Sequence, residues 1–283
     1  MKNKKILLSL VSITTLLPFG LVACQNYQQN DKLKEIVPKN RDIIFNSPVP
    51  EAEKTEKMLD SLVNQLYKTE AKRTEFYNLQ NSEEYKTKTK AEFKKLSSEY
   101  LAQDTLEKKR AFLEKLKTFY NKNWYFFLKN IDKFTGEFYD WLLFPNSKEG
   151  GHSQEYKETL KTLEKPKKIV FSNPYFDELK EGDESAELPN TTIFYLKKQK
   201  NIFRIIISDI IEENPYIEFE PYSWSFNSGE AQNISINLVS DIAHSALVHG
   251  FAEGFVSFEK DMVEKQKYGP PSEMVYLWEE KNA

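Results

Sequence analysis

The feature that most limits how this chain can fold is a change of hydrophobic period near residue 166. Before it, apolar residues recur three and four apart. Met58, Leu59, Leu62, Val63, Leu66 and Tyr67 make one helical face from about Glu51 to Tyr77, and Tyr85, Thr89, Phe93, Leu96 and Tyr100 make a second. After it, KKIVFS, TTIFYL, NIFRIIIS, YIEFEPYSWSF and QNISINLV read as strands. Alternation is clean at Phe203, Ile205 and Ile207, at Ile217 and Phe219, and at Ile234, Ile236 and Leu238. The acidic DELKEGDESAELPN reads as a loop, and Pro221 as a bend or an edge. Ser240 then caps a long final helix with Leu247, Phe251, Phe255, Phe258 and Met262 on one face, stopped by Gly269, Pro270 and Pro271; SEMVYLWEE reads as a last short helical turn. This order is α+β rather than the βαβα alternation of a doubly wound sheet. The expectation is one ectodomain over 51–283: antiparallel helices over 51–165, then a mostly antiparallel β meander and a long C-terminal helix over 166–283.

Helix boundaries follow from caps. Ser82 precedes the second helix, and Asp104 with Glu107 has capping-box spacing for a third. The third pattern runs into FYNKNWYFFLKNIDKFTGEFYDWLLFP, which places eleven aromatic residues between Phe119 and Phe144. Leu113, Leu116, Tyr120, Trp124, Phe127, Ile131, Phe134, Phe138 and Trp141 keep three-and-four spacing, so the helix is expected to continue through Gly136 to Pro145, kinked near Asn123 or Gly136. The stripe Tyr120, Trp124, Phe127, Phe134, Phe138 and Trp141 carries on the order of 1000 Å² of mainly apolar surface, whereas exposed patches on monomers reach about 300–600 Å². It is therefore expected to be core. Phe119, Tyr125, Phe126, Tyr139 and Phe144 fall elsewhere on the helical wheel, and Tyr125, Tyr139 and Phe144 are the candidate partner-binding surface.

The N-terminus has the parts of an export signal. Lys2, Lys4 and Lys5 precede an apolar run from Ile6 to Leu17, too short to span a bilayer, and LVAC follows. This resembles a bacterial lipobox, in which the thiol of Cys24 takes a diacylglyceryl group and becomes the first mature residue. Cys24 is the only cysteine, and acylation accounts for an unpaired thiol in an exported chain. The expectation is a signal peptide over 1–23, an anchored tether over 24–50, and attachment to the outer face of the cell membrane. Beyond the signal, 37 basic residues face 43 acidic ones, net −6, which argues against a general polyanion binder and against a nucleic-acid partner. Only Arg41, Arg73, Arg110 and Arg204 are arginine among the 40 basic residues. That bias, with abundant Asn, Ile, Phe and Tyr, resembles the coding of an AT-rich genome and, with the lipobox, a wall-less mollicute.

The stretch FYNKNWYFFLKNIDKFTGEFYDW resembles the motif of the mycoplasma aromatic-motif, or aromatic-cluster, surface lipoproteins. EKMLDSLVNQLYKTEAKRTEFYNLQ resembles the helix that precedes the motif. The resemblance implies a lipid-anchored surface protein and brings no catalytic residue with it.

The chain has no H-E-x-x-H, G-x-S-x-G, P-loop or G-x-G-x-x-G. In DIAHSALVHGFAE, Asp241 lies one turn from His244 and His249 one turn from Glu253. The two histidines are five apart, about 140° round an α-helix, and so are not expected to chelate. Glu218 and Glu220 share a strand face that reads as solvated, and the lysines of the second helix alternate with glutamates. No catalytic residue, cofactor or metal is expected. Three functional classes stay open: recognition of a host or membrane-partner macromolecule, which fits best; an extracellular hydrolase; and a solute-binding lipoprotein.

Overall fold

A computed structural model describes residues 49–209 and 215–279. The expected lipobox, Cys24 and nearly all of the tether lie outside the described residues. One antiparallel eight-stranded sheet forms the middle layer: β1 (Phe134–Trp141), β2 (Ile169–Val170), β3 (Glu178–Glu181), β4 (Thr191–Lys198), β5 (Asn201–Ser208), β6 (Tyr216–Phe219), β7 (Tyr222–Phe226) and β8 (Pro271–Trp278). Its order is β2-β1-β8-β7-β5-β4-β3 with β6 beside β5. Helices cover both faces, so strands such as TTIFYLKK read as unbroken apolar runs. Phe194 and Leu196 of β4 (Thr191–Lys198) enter one core, and Ile193 and Tyr195 enter the other.

The first core is closed by five helices: α1 (Glu51–Leu66), α2 (Glu70–Asn81), α3 (Glu83–Leu101), α4 (Leu106–Lys122) and α5 (Trp124–Lys129). Of the expected stripe, Tyr67 is half-buried, whereas Met58, Leu59, Leu62, Val63 and Leu66 are buried on one face of α1. It ends earlier than the pattern suggests, because Thr69 accepts a hydrogen bond from the Lys72 amide and starts α2. Arg73 caps the end of α1 by donating to the carbonyls of Tyr67 (2.9 Å) and Lys68 (3.0 Å). Ser82 caps α3 as expected. The cap of α4 is Thr105, one residue later than expected; its hydroxyl accepts from the Lys108 amide, while Asp104 pairs with the Lys108 ammonium.

The aromatic stretch is not one helix. It breaks at Asn123, a buried side chain that donates to the Phe119 carbonyl (2.9 Å) and accepts from the Tyr85 hydroxyl (2.9 Å). Asn130 repeats the device on the Phe126 carbonyl, a 3₁₀ turn follows at Ile131–Lys133, and the chain becomes β1 (Phe134–Trp141). Phe134 and Phe138, four apart, share a face on a helix and on a strand alike, so their spacing cannot separate the two. Gly136 decides for the strand. Between β2 (Ile169–Val170) and β8 (Pro271–Trp278), a side chain there would come within 3.1 Å of Ile169 and 3.2 Å of the Tyr276 ring. Tyr120, Trp124, Phe127 and Phe134 are core as expected, whereas Phe138 and Trp141 are half-buried.

The strand half differs in four places. The acidic loop contains β3 (Glu178–Glu181) and a 3₁₀ turn. β5 (Asn201–Ser208) pairs with both β6 (Tyr216–Phe219) and β7 (Tyr222–Phe226), which Pro221 separates, as its missing N–H leads one to expect. QNISINLV is not a strand: Ser235 caps α7 (Ile236–Ala243), after α6 (Gln154–Thr162) earlier in the chain. SEMVYLW is the central strand β8, hidden from alternation because Met274 to Leu277 are all buried. The second core joins α6, α7 and α8 (Ala252–Val256) to the sheet. The expected single C-terminal helix is two: a π-helical turn (His244–Val248) ends the first at Gly250, with φ +67°, and Gly254 lets α8 pack back on Ala246.

Candidate functional site

Arg110, Leu113, Glu114 and Lys117 recur along one stripe of α4 and form one wall of a groove of about 420 Å³. Facing them are Tyr139, Asp140 and Trp141 of β1, Tyr222 and Glu220 on either side of Pro221, and Glu273 of β8. A bulge in β1 between Phe138 and Asp140 turns this end of the strand toward the groove and sets Asp140 opposite Glu273.

Carboxyl groups outnumber cations here. Lys117 reaches Glu220 (2.7 Å) and Glu218 (3.9 Å). Arg110 donates to the Tyr139 hydroxyl (3.2 Å) and lies 3.4 Å from Asp140. Burial pushes the Glu273 carboxyl up to about 8, helped by Asp140 and Glu220 and only partly opposed by Arg110. At neutral pH a protonated acid thus sits among tyrosine rings, able to donate a hydrogen bond or to ionise beside an incoming cation. Glu218 and Glu220 are therefore not a merely solvated pair, since Lys117 ties them to α4.

Of the candidate partner-binding aromatics, Tyr139 lines this groove with its ring almost wholly covered. Tyr125 lies elsewhere, half-buried against Phe76 (5.3 Å) and Tyr77 (6.0 Å). Phe144 is buried in the second core against Phe258 (5.0 Å). The three therefore do not form one exposed surface, because β1 replaces the helix on whose wheel they were placed. Sequence reasoning missed Glu273, which lay in a segment read as helix, and Asp140; only the β1–β8 register brings them together.

His152 is a second buried titratable group that the sequence did not single out. Its Nε2 accepts from the Phe144 amide (3.1 Å) and its Nδ1 lies 3.0 Å from Glu259, which also accepts from Ser153. Both ring nitrogens are engaged, so this cluster locks α6 to the second core. Burial holds His152 below the usual histidine range, against the pull of Glu259. The folded state thus binds this proton less readily than the unfolded chain. Its contribution to stability is full above pH 6.5 and declines as pH falls toward the folded value. An NMR titration should place the His152 midpoint below 6.5; a midpoint above it would contradict this account.

In the C-terminal segment, His249 Nε2 lies 3.2 Å from the Glu187 carboxylate. No described helix is long and apolar enough to cross a membrane. The model of the family described as aromatic cluster surface protein matches residues 34–269. No curated protein and no solved structure matches the chain.

Proposed function

Because the chain belongs to the aromatic cluster surface protein family, we propose that it is a lipid-anchored recognition protein whose groove takes a basic segment of a host or membrane-partner macromolecule. The anchor would be diacylglyceryl-Cys24, on the outer face of a mollicute membrane. Its support is the basic n-region, the short apolar run and LVAC. The observation that carries the binding reading is the groove, where Glu273, Asp140 and Glu220 stand among Tyr139, Trp141 and Tyr222. Aromatic walls supply apolar contact for the stem of a Lys or Arg side chain, and the carboxylates receive its charge. Because Glu273 is protonated near neutrality, capture of a cation releases a proton, and affinity rises with pH up to about 8.

Full-length protein in detergent, incubated with an array of short peptides, tests this. Retained peptides should be enriched in Lys or Arg, and Glu273→Gln should bind them at least about tenfold more weakly, as expected for loss of a charge-assisted contact. Retention without basic enrichment, no retention, or an unaffected variant would refute the reading.

One observation favours an extracellular hydrolase as a second reading. A carboxyl raised to about 8 beside two others is the arrangement a general acid needs. Turnover of a glycoside or ester, lost in Glu273→Gln, would support it over recognition. A solute-binding role has less behind it, since the described residues form one sheet rather than two α/β lobes.

A further inference from the structure

The two histidines of the C-terminal segment do not sit as an α-helix would place them. The His249 amide donates to the His244 carbonyl (3.3 Å), an i→i+5 bond that widens the turn and brings residues five apart onto one side. The imidazoles stack with centroids 4.7 Å apart. Glu187, at the end of the 3₁₀ turn Asp183–Ala186, reaches both: Oε1 lies 3.4 Å from His244 Nε2 and Oε2 lies 3.2 Å from His249 Nε2. One ligand atom from each residue can be chosen so that all three lie within 4.8 Å of one another. In a tetrahedral site with bonds of about 2.0–2.1 Å, neighbouring ligand atoms stand about 3.3–3.4 Å apart. Each imidazole stands at about that distance from one carboxylate oxygen, His244 from Oε1 and His249 from Oε2.

Hydrogen bonding alone leaves this cluster incomplete. The Nε2 atom of His244 is buried and has no hydrogen-bond partner, although a carboxylate oxygen is 3.4 Å away. A buried polar atom in that condition asks for an explanation. A cation between the three residues would satisfy it. Acidic groups stand nearby, since Asp241 lies close enough to both Asp183 and His244 to interact with them.

The scaffold holds the three side chains before any ion arrives. Fully buried Glu184 accepts from the Tyr195 hydroxyl and from Ser240 (3.2 Å), and the Asp183 amide donates to Ser240 (2.8 Å). The turn bearing Glu187 is thereby pinned to the helix bearing the histidines. Phe251 stacks on His249 at 4.7 Å, and Gly250 makes the turn between them at φ +67°. A side chain at Gly250 would also strike Ser147, at 2.6 Å.

We propose that Glu187, His244 and His249 form a binding site for a divalent transition-metal ion, with Zn²⁺ the best match to two imidazoles and one carboxylate. Three protein ligands leave a fourth position for water or for a donor from a bound partner. The site is separate in residues from the Glu273 groove and does not depend on the function proposed for it.

Full-length protein in detergent, stripped with a chelator, should take up one equivalent of Zn²⁺ in a calorimetric titration. Loaded with Co²⁺ instead, it should show the visible absorption of a four-coordinate ion. His249→Ala and His244→Ala should weaken Zn²⁺ at least about 100-fold, beyond the 10–100-fold typical of removing an outer-shell partner. Glu187→Gln is exposed and nearly isosteric, so it tests the site even if a histidine variant does not fold. No stoichiometric Zn²⁺ uptake by the wild type, or uptake unchanged in both His249→Ala and Glu187→Gln, would overturn the proposal.

Discussion

Phe127→Ala should destabilise the protein by about 3–5 kcal/mol, the cost of truncating a fully buried aromatic ring that leaves a cavity. Phe127 is 0% exposed and stands where the helix layer meets the sheet. Its ring lies 5.0 Å from Tyr120 and 4.8 Å from Phe134, and 5.3 Å from Phe219 and 6.0 Å from Tyr276. Those partners come from α4, β1, β6 and β8, so the cavity would weaken four elements at once. Tyr125, two residues away, is only half-buried and packs on α2. Tyr125→Ala should therefore cost less, about 1–2 kcal/mol from lost apolar burial. Urea denaturation of both variants measures the difference. Equal losses would mean that the ring cluster is not concentrated on the sheet as described.

The second large effect depends on pH. The Glu273 carboxyl moves from 4.5 up to about 8 on folding, through burial and the nearby Asp140 and Glu220. The folded protein therefore holds this proton more tightly than the unfolded chain. Stability associated with it is full below pH 4.5 and is lost as pH rises through about 8. Glu273→Gln keeps the shape and hydrogen-bonding capacity of the neutral acid and cannot ionise. At pH 8.5 to 9 it should be more stable than wild type by about 2–4 kcal/mol, with the difference vanishing near pH 4. Comparing the two proteins isolates Glu273 from His152, whose contribution declines in the opposite direction as pH falls. Parallel pH profiles for the two proteins would mean that Glu273 ionises normally in the fold. The same substitution is expected to weaken capture of basic peptides, so gain of stability and loss of binding would arise from one carboxyl.

The groove and the histidine pair show how local pattern and tertiary pairing divided the work. The stripe Arg110, Leu113, Glu114 and Lys117 is readable as one side of a helix, yet nothing local says what it faces. Its opposite wall exists because Asp140 and Glu273, far apart in the chain, are directly paired in the sheet. Residues five apart, as the two histidines are, lie too far round an α-helix to meet. That holds for 3.6 residues per turn and fails for the wider turn that Gly250 and the close packing of Gly254 on Ala246 permit.

What the sequence determined by itself was local: the helical stripes of α1, α3 and α4, the strands β4 to β7 with their break at Pro221, the caps at Ser82 and the break at Asn123. Each rests on periodicity or on a side chain competing for a neighbouring backbone group, and both act within a few residues. The family membership is likewise a matter of sequence. Only the tertiary structure decided that β1 and β8 are strands. Their residues are buried on both faces or spaced four apart, patterns that helix and strand share, and the choice is made by hydrogen-bonding partners distant in the chain, each other and the flanking β2 and β7.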